Sequence, residues 1–164
     1  ILTLELMSLV TEEIRARAEI FTGNEICQEK TKEFLTEMGL PNGLLPMRDI
    51  EECGRVIETG FVWVKQKKSI THKFEKIGKL VSYAKEVTSV VKQNKIKKLT
   101  GVKSKELLIW VTLSEIHMES PTSSSITFQT PAGLGRSFPV SAFIVERPVK
   151  IPTSDSAAAQ INEV

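Results

Sequence analysis

The residues of this 164-residue chain best equipped for chemistry are few: two histidines, two cysteines and one serine set between glycine and proline. The serine lies in Gly135-Arg136-Ser137-Phe138-Pro139. A nucleophile elbow needs glycine on both sides of its serine so that a strand can turn sharply into a helix. Pro139 stands where the second glycine belongs, and its ring and missing N–H obstruct the helix that would follow. His72 and His117 are the available bases, yet neither has a carboxylate or second histidine at the familiar metal-ligand spacings. Cys27 and Cys53 are too few for a disulfide framework and lack zinc-site spacing, so both read as reduced thiols of a cytosolic chain. Asp49 and Asp155 are the only aspartates, and no phosphate loop, dinucleotide fingerprint or calcium loop occurs. These features lead us to expect no catalytic residue, no metal and no cofactor. Catalytic groups can converge from distant parts of a fold, so a pigment or ester hydrolase using Ser137 with His72 or His117 stays open as an alternative.

Binding chemistry has more material. The net charge of +2 conceals a strong asymmetry: residues 65–105 carry 13 lysines against Glu75 and Glu86, while both flanks are acidic. That segment holds no arginine and only Phe74 and Tyr83 as aromatics. Nucleic-acid readers favour the planar arginine fork and interleaved rings, so nucleic acid is not an expected partner. A lysine face built from Lys65, Lys67, Lys68, Lys95, Lys97 and Lys98 suits an anionic membrane surface or an acidic protein. The plainer explanation is that these lysines solvate the outer side of strands and block edge pairing. Trp63, Trp110, Phe128 and Phe143 fall in strands that would line one curved sheet. If the sheet closes loosely they could hold a lipid, pigment or other apolar molecule. If it packs tightly they are its core.

The elements that position these residues follow from periodicity. The length suggests a single domain, over 11–147, after an N-terminal extension of residues 1–10 in which Met7 could be a start. No apolar run approaches membrane-spanning length, which points to a cytoplasmic chain, at most peripheral to a membrane. Thr11 caps a first helix, with Val10, Ile14, Ala18 and Phe21 along one face and Glu13–Arg17 paired on another. Gly23 closes it and Asn24 caps a second helix whose stripe is Cys27, Thr31, Phe34, Leu35 and Met38, so the helices span 11–38. The stretch LPNGLLP (residues 40–46) then stops the helix: Gly39 takes the left-handed position, Leu40 folds back on Leu35, and Asn42-Gly43 turns. Leu44 and Leu45 seat the loop on the core.

From residue 50 to 147 the period becomes that of strands, with turns at Glu58-Thr59-Gly60 and Gln93-Asn94. Leu107, Ile109, Val111 and Leu113 alternate before Ile116 and Met118 take over, a slip that predicts a bulge near Ser114 and Glu115. Short turns between strands imply antiparallel pairing. The expected class is mainly β (α+β): N-terminal helices followed by an antiparallel, strongly curved or barrel-like sheet of about eight strands. Residues 148–164, rich in serine and alanine, read as a mobile tail.

The series LPNGLLP, ETGFVWVKQKK, KIKKLTGVKSKELLIWV and FQTPAGLGRSFPVSAF resembles the plant family known as domain of unknown function 538. The resemblance runs from the first helix to Val145. A leucine-proline-any-glycine pattern matches Leu40, Pro41 and Gly43, and a glycine-aromatic pair matches Gly60 and Phe61. A leucine-any-glycine-valine signature with later lysine and tryptophan matches Leu99, Gly101, Val102, Lys105 and Trp110. A phenylalanine-proline pair and a following phenylalanine match Phe138, Pro139 and Phe143. The resemblance implies an antiparallel β-barrel-like fold preceded by helix, and a loose association with stress and development. It further implies binding of lipids, by likeness to bactericidal/permeability-increasing proteins, or binding or hydrolysis of chlorophyll. It supplies no catalytic residue. Arg55 stands where relatives often carry an aromatic, and Lys85 where proline is common. The leading expectation is a non-enzymatic binding protein for an amphipathic or apolar ligand, with the hydrolase and a protein-interaction scaffold using the lysine face as alternatives.

Overall fold

A computed structural model describes residues 8–146; most of the N-terminal extension and the whole expected tail over 148–164 lie outside the described residues. Thr11 caps the first helix as expected, its Oγ1 accepting from the Ile14 N–H at 3.2 Å. That helix, α1, covers only Glu12–Arg17. Ala18 is already extended, and Glu19–Thr22 form strand β1, paired antiparallel with β2 (Ile50–Val56) through Phe21↔Cys53. The first of the two helices expected over 11–38, with its end at Gly23, therefore stops at Arg17 and gives way to a strand. The sequence Glu-Ile-Phe-Thr has β-branched and aromatic residues that gain more from a free sheet edge than from one further helical turn. Arg17 turns to Glu58 (3.4 Å) rather than to Glu13.

Helix α2, Asn24–Glu37, buries Cys27, Thr31, Phe34 and Leu35. Gly23 holds the capping position in place of Asn24, whose Oδ1 instead accepts from the Ile50 N–H at 2.9 Å and anchors β2. The helix closes as its sequence dictates: Leu40 N–H donates to Leu35 O (2.9 Å), Gly39 N–H to Thr36 O (3.0 Å). The LPNGLLP loop then buries Leu40, Leu44 and Leu45 in the core. Tyr83 Oη donates to Leu44 O at 2.9 Å, and burial pushes the Tyr83 phenol up. Asn42 grips the far end of the domain, donating to Val145 O (3.0 Å) and accepting from Val145 N–H (2.8 Å). Gly43 N–H donates to Phe143 O at 2.8 Å, and a Cβ on Gly43 would lie 2.5 Å from that same oxygen. No side chain fits there.

The remaining strands are β3 (Phe61–Gln66), β4 (Ile70–Phe74), β5 (Lys79–Lys92), β6 (Lys95–Glu106), β7 (Ile109–Thr112), β8 (Glu115–His117), β9 (Ser125–Gln129) and β10 (Gly135–Pro139). A 3-10 turn, Val140–Phe143, follows. All pairings are antiparallel, in the order β1-β2-β3-β5-β6-β8-β9-β10, with β4 also on β5 and β7 on β6. The expected count of about eight becomes ten among the described residues, because Glu19–Thr22 form a strand where a helix is expected and because β5 and β6 are long enough to hold two neighbours along one edge. The path ends at β1 and β10, which do not pair, so the sheet is open and barrel closure is not made among the described residues.

The turns at Glu58–Gly60 and Gln93–Asn94 fall where expected. The slip near Ser114 is present as the gap between β7 and β8, but the extra residues sit on the partner strand. Between Ile96↔Ile116 and Lys103↔Thr112, β6 carries more residues than the strand opposite. Gly101 lies in this irregular stretch at φ +81°, where a Cβ would stand 2.6 Å from Glu86 O. The core runs from α2 and the LPNGLLP leucines to four rings: Phe143 lies 4.8 Å from Phe74 and 5.1 Å from Phe128, which lies 5.3 Å from Phe138.

Candidate functional site

The β6–β7 and β9–β10 hairpins part company at one end of the sheet. Strands β8 and β9 pair up to Glu115↔Gln129, and Ser114 N–H still donates to Gln129 O. Beyond that point β7 pairs with β6 alone. The space between them is a groove of about 260 Å³ whose apolar wall includes Val111, Leu113, Phe128 and Leu134. This is at the small end of ligand pockets, enough for part of an acyl chain or ring system. Leu113 and Phe128 are core residues reaching the groove floor; Leu134 stands on the rim, 72% exposed.

Polar groups enter at two places. The Ser104 side chain lines the groove, is 2% exposed, and its Oγ has no hydrogen-bond partner. A buried hydroxyl without a partner is costly, and this one belongs to a residue of the groove wall. At the groove's charged end Glu106 accepts from Lys79 Nζ (2.7 Å) and from Arg136. Burial pushes the Glu106 carboxyl up, but the Lys79 hydrogen bond and the charges of Lys79 and Arg136 outweigh it and hold the group below its ordinary value. Two cations around one carboxylate leave a net positive end, suited to an anionic or strongly hydrogen-bonding head group.

The four aromatic candidates do not share one lining. Phe128 and Phe143 lie in the core cluster, and only Phe128 reaches the groove. Trp63 is fully buried on the opposite face of the sheet, where its Nε1–H donates to Glu52 Oε2 at 2.8 Å. Arg15 pairs with the same carboxylate at 2.8 Å. Trp110, expected to face inward, is 41% exposed, with Lys105 Nζ 5.9 Å from its ring centroid. Its strand partner is Lys105, whereas the inward row pairs Ser104 with Val111. The alternation of Ile109, Val111 and Leu113 holds in the structure and itself places Trp110 on the other face, so the expected inward ring is corrected by the strand's own period; Leu107-Leu108, expected in the strand, form a turn. Arg55, the departure from the family pattern, is held by Glu37 (2.7 Å) and Glu19 (3.2 Å) over the Phe34 ring, away from the groove.

The six lysines form two groups. Lys65, Lys67 and Lys68 lie at the end of β3 and the turn after it, beside the middle of β5. Lys95, Lys97 and Lys98 lie at the β5–β6 hairpin, where Lys95 pairs with Lys92. Along β5 the paired positions are four to six residues apart, from Glu86 to Val90 and Lys92, so the groups stand roughly 13–20 Å apart along the strand. Neither borders the groove.

The hydrolase candidates are also separated. Ser137 is exposed in the extended strand β10, its Oγ 2.8 Å from Thr127 Oγ1, with no elbow. Thr127 pairs with His117 on its other side, so Ser137 and His117 are two strand spacings apart, about 9.5 Å, with Thr127 between. His117 Nδ1 lies 3.0 Å from Glu115. His72 packs edge-on against Phe74, and burial, with the charge of Arg48, pulls its pKa down. Cys27 and Cys53 are free thiols in the core, and burial pushes the Cys53 thiol up. No group of three potential metal ligands occurs among the described residues, and no helix there is long and apolar enough to cross a membrane.

Ser104, Glu106 and the Leu107-Leu108 turn escaped the sequence reading; the sole available signal was that apolar alternation ran unbroken through a hairpin. Comparison with curated proteins and with solved structures finds no match. A family model described as "Protein of unknown function, DUF538" matches residues 31–144, which include the LPNGLLP loop, β6 and the groove, and the chain belongs to that family.

Proposed function

We propose that this domain is a non-enzymatic binding protein that takes an amphipathic or apolar ligand, a lipid or pigment, at an anionic membrane surface. The observation that carries the reading is the groove: an apolar floor of Val111, Leu113 and Phe128, an unpartnered buried hydroxyl on Ser104, and a cationic end at Lys79 and Arg136. The apolar part of the ligand lies on the floor and its head group meets the charged end. An open sheet curved enough to leave this space, without closing as a barrel, is the architecture the reading calls for.

Titration with a fluorescent fatty acid tests it. Saturable one-to-one binding is expected, lost when Val111→Phe fills the groove while the circular dichroism spectrum stays unchanged. Absence of saturation, or equal binding by the filled variant, overturns it. The hydrolase reading draws no support from the separation of Ser137 and His117, and the scaffold reading none from the division of the lysines into two groups.

A further inference from the structure

Strand β6 passes into β7 through a two-residue turn that is apolar where turns are ordinarily polar. Leu107 and Leu108 are 94% and 91% exposed, Ile109 64%. Leu107 also holds φ at +55°, a left-handed conformation that glycine or asparagine adopts with less strain. Folding alone disfavours both the exposure and the backbone, and none of Leu107, Leu108 and Ile109 belongs to the core. The turn stands beside the β4–β5 turn, since β5 pairs Lys79 with Phe74 on one side and Val81 with Ser104 on the other. Around it lie Lys73, Lys76, Lys79, Lys103, Lys105 and Arg136, against Glu75 and a Glu106 already held by two cations.

We propose that this tip is a wedge that inserts into an anionic lipid bilayer: Leu107, Leu108 and Ile109 enter the acyl boundary, Trp110 sits at the interface, and Lys103 and Lys105 meet the head groups. An apolar point ringed by positive charge matches a bilayer with anionic heads above an apolar interior. The point is convex and offers roughly a few hundred Å², well short of the about 800 Å² per partner that a stable protein interface buries. The inference rests on the membrane-surface part of the proposed function; its inserting residues, Leu107 to Trp110, and the tested Lys103 and Lys105 are not the groove's, while Lys79 and Arg136 border both. It also moves the contact: Lys95, Lys97 and Lys98 stand at the far end of β6, roughly 35 Å from the tip by strand rise.

The test is sedimentation of the full chain with phosphatidylcholine vesicles, with and without phosphatidylserine, at low and high salt. Quenching by brominated acyl chains accompanies it; Trp63 is fully buried, so Trp110 reports. Binding to phosphatidylserine vesicles that weakens with salt, with quenched Trp110, is expected. The double variant Leu107→Gly/Leu108→Asn gives the turn residues it ordinarily prefers, so it keeps the fold while losing at least about tenfold in binding. Lys103→Glu/Lys105→Glu weakens binding, and Lys95→Glu/Lys97→Glu/Lys98→Glu leaves it within about twofold, since that end lies beyond the reach of the screened charge. Unquenched Trp110, vesicle binding unchanged in the tip variant, or no binding at all overturns the inference. So does a concentration-dependent dimer abolished by the tip variant, which would give the tip to a second copy. Val111→Phe separates the two readings: it removes the groove ligand and leaves vesicle binding intact.

Discussion

Replacing Phe143 by alanine asks whether the rings of this domain are packed core or the lining of a ligand space. Phe143 is 1% exposed, meets Phe74, Phe128 and Phe138 at centroid distances of 4.8, 5.1 and 6.3 Å, and sits in the turn whose carbonyl holds Gly43. Truncating a fully packed phenylalanine removes its transfer energy and leaves a cavity that neighbours only partly fill, about 3–5 kcal/mol in all. A domain of this size has about 5–15 kcal/mol of stability, so the loss is a large share, equivalent to a fall in Tm of roughly 10–15 °C. Urea denaturation with an unchanged m-value is the assay. Trp110→Ala is the control, since that ring is 41% exposed and its loss costs no more than about 1 kcal/mol. If Phe143→Ala costs less than about 1 kcal/mol, or no more than Trp110→Ala, the cluster is not tightly packed. The ligand space would then have to be sought inside the sheet.

Gly43→Ala drives a Cβ to within 2.5 Å of Phe143 O and 2.8 Å of Val145 Cγ2, so the loop must leave the segment it pins. A loss of about 2 kcal/mol or more is expected in the same urea assay. Glu52 is held below its ordinary value by the hydrogen bond from Arg15, reinforced by that from Trp63. Its folded pKa is therefore below its unfolded one, and its contribution is full above the unfolded pKa of about 4.3 and lost as pH falls through the folded value. Glu52→Gln is accordingly less stable than wild type at pH 7, and the gap narrows towards pH 3 in paired denaturation curves. Ser137→Ala leaves any ester hydrolysis by the purified chain unchanged, because the hydroxyl's near partner is Thr127 and not a base; a lost rate would restore the hydrolase reading.

What the sequence disclosed, and what it hid, divides by the range of the forces involved. The end of α2 was legible because Leu35, Gly39 and Leu40 make a local closure that needs nothing from elsewhere. The motif glycines Gly43 and Gly101 could be picked out as punctuation, but their reasons are distant: Phe143 crosses one and Glu86 the other. β1 was hidden because Phe21 stands three residues after Ala18, a helical spacing, and four residues are too few to display strand alternation; the edge of β2 decided for the strand. The Leu107-Leu108 turn was hidden for the opposite reason, since it carries none of the glycine, asparagine or proline that marks a turn. The outward side of Trp110, by contrast, follows from its place one residue before Val111 in the apolar alternation. The groove could not be read at all: Ser104 and Glu106 meet Phe128 and Arg136 only because two hairpins diverge beyond Glu115↔Gln129.

Native mass spectrometry of the full chain, exposed to a total lipid and pigment extract and then washed, tests the central claim most directly. The expected result is one adduct per chain, of lipid or pigment mass, present in the wild type and absent in Val111→Phe at equal fold. A bare chain across several extracts, or an adduct retained equally by the filled variant, would contradict the assignment of a ligand to this groove.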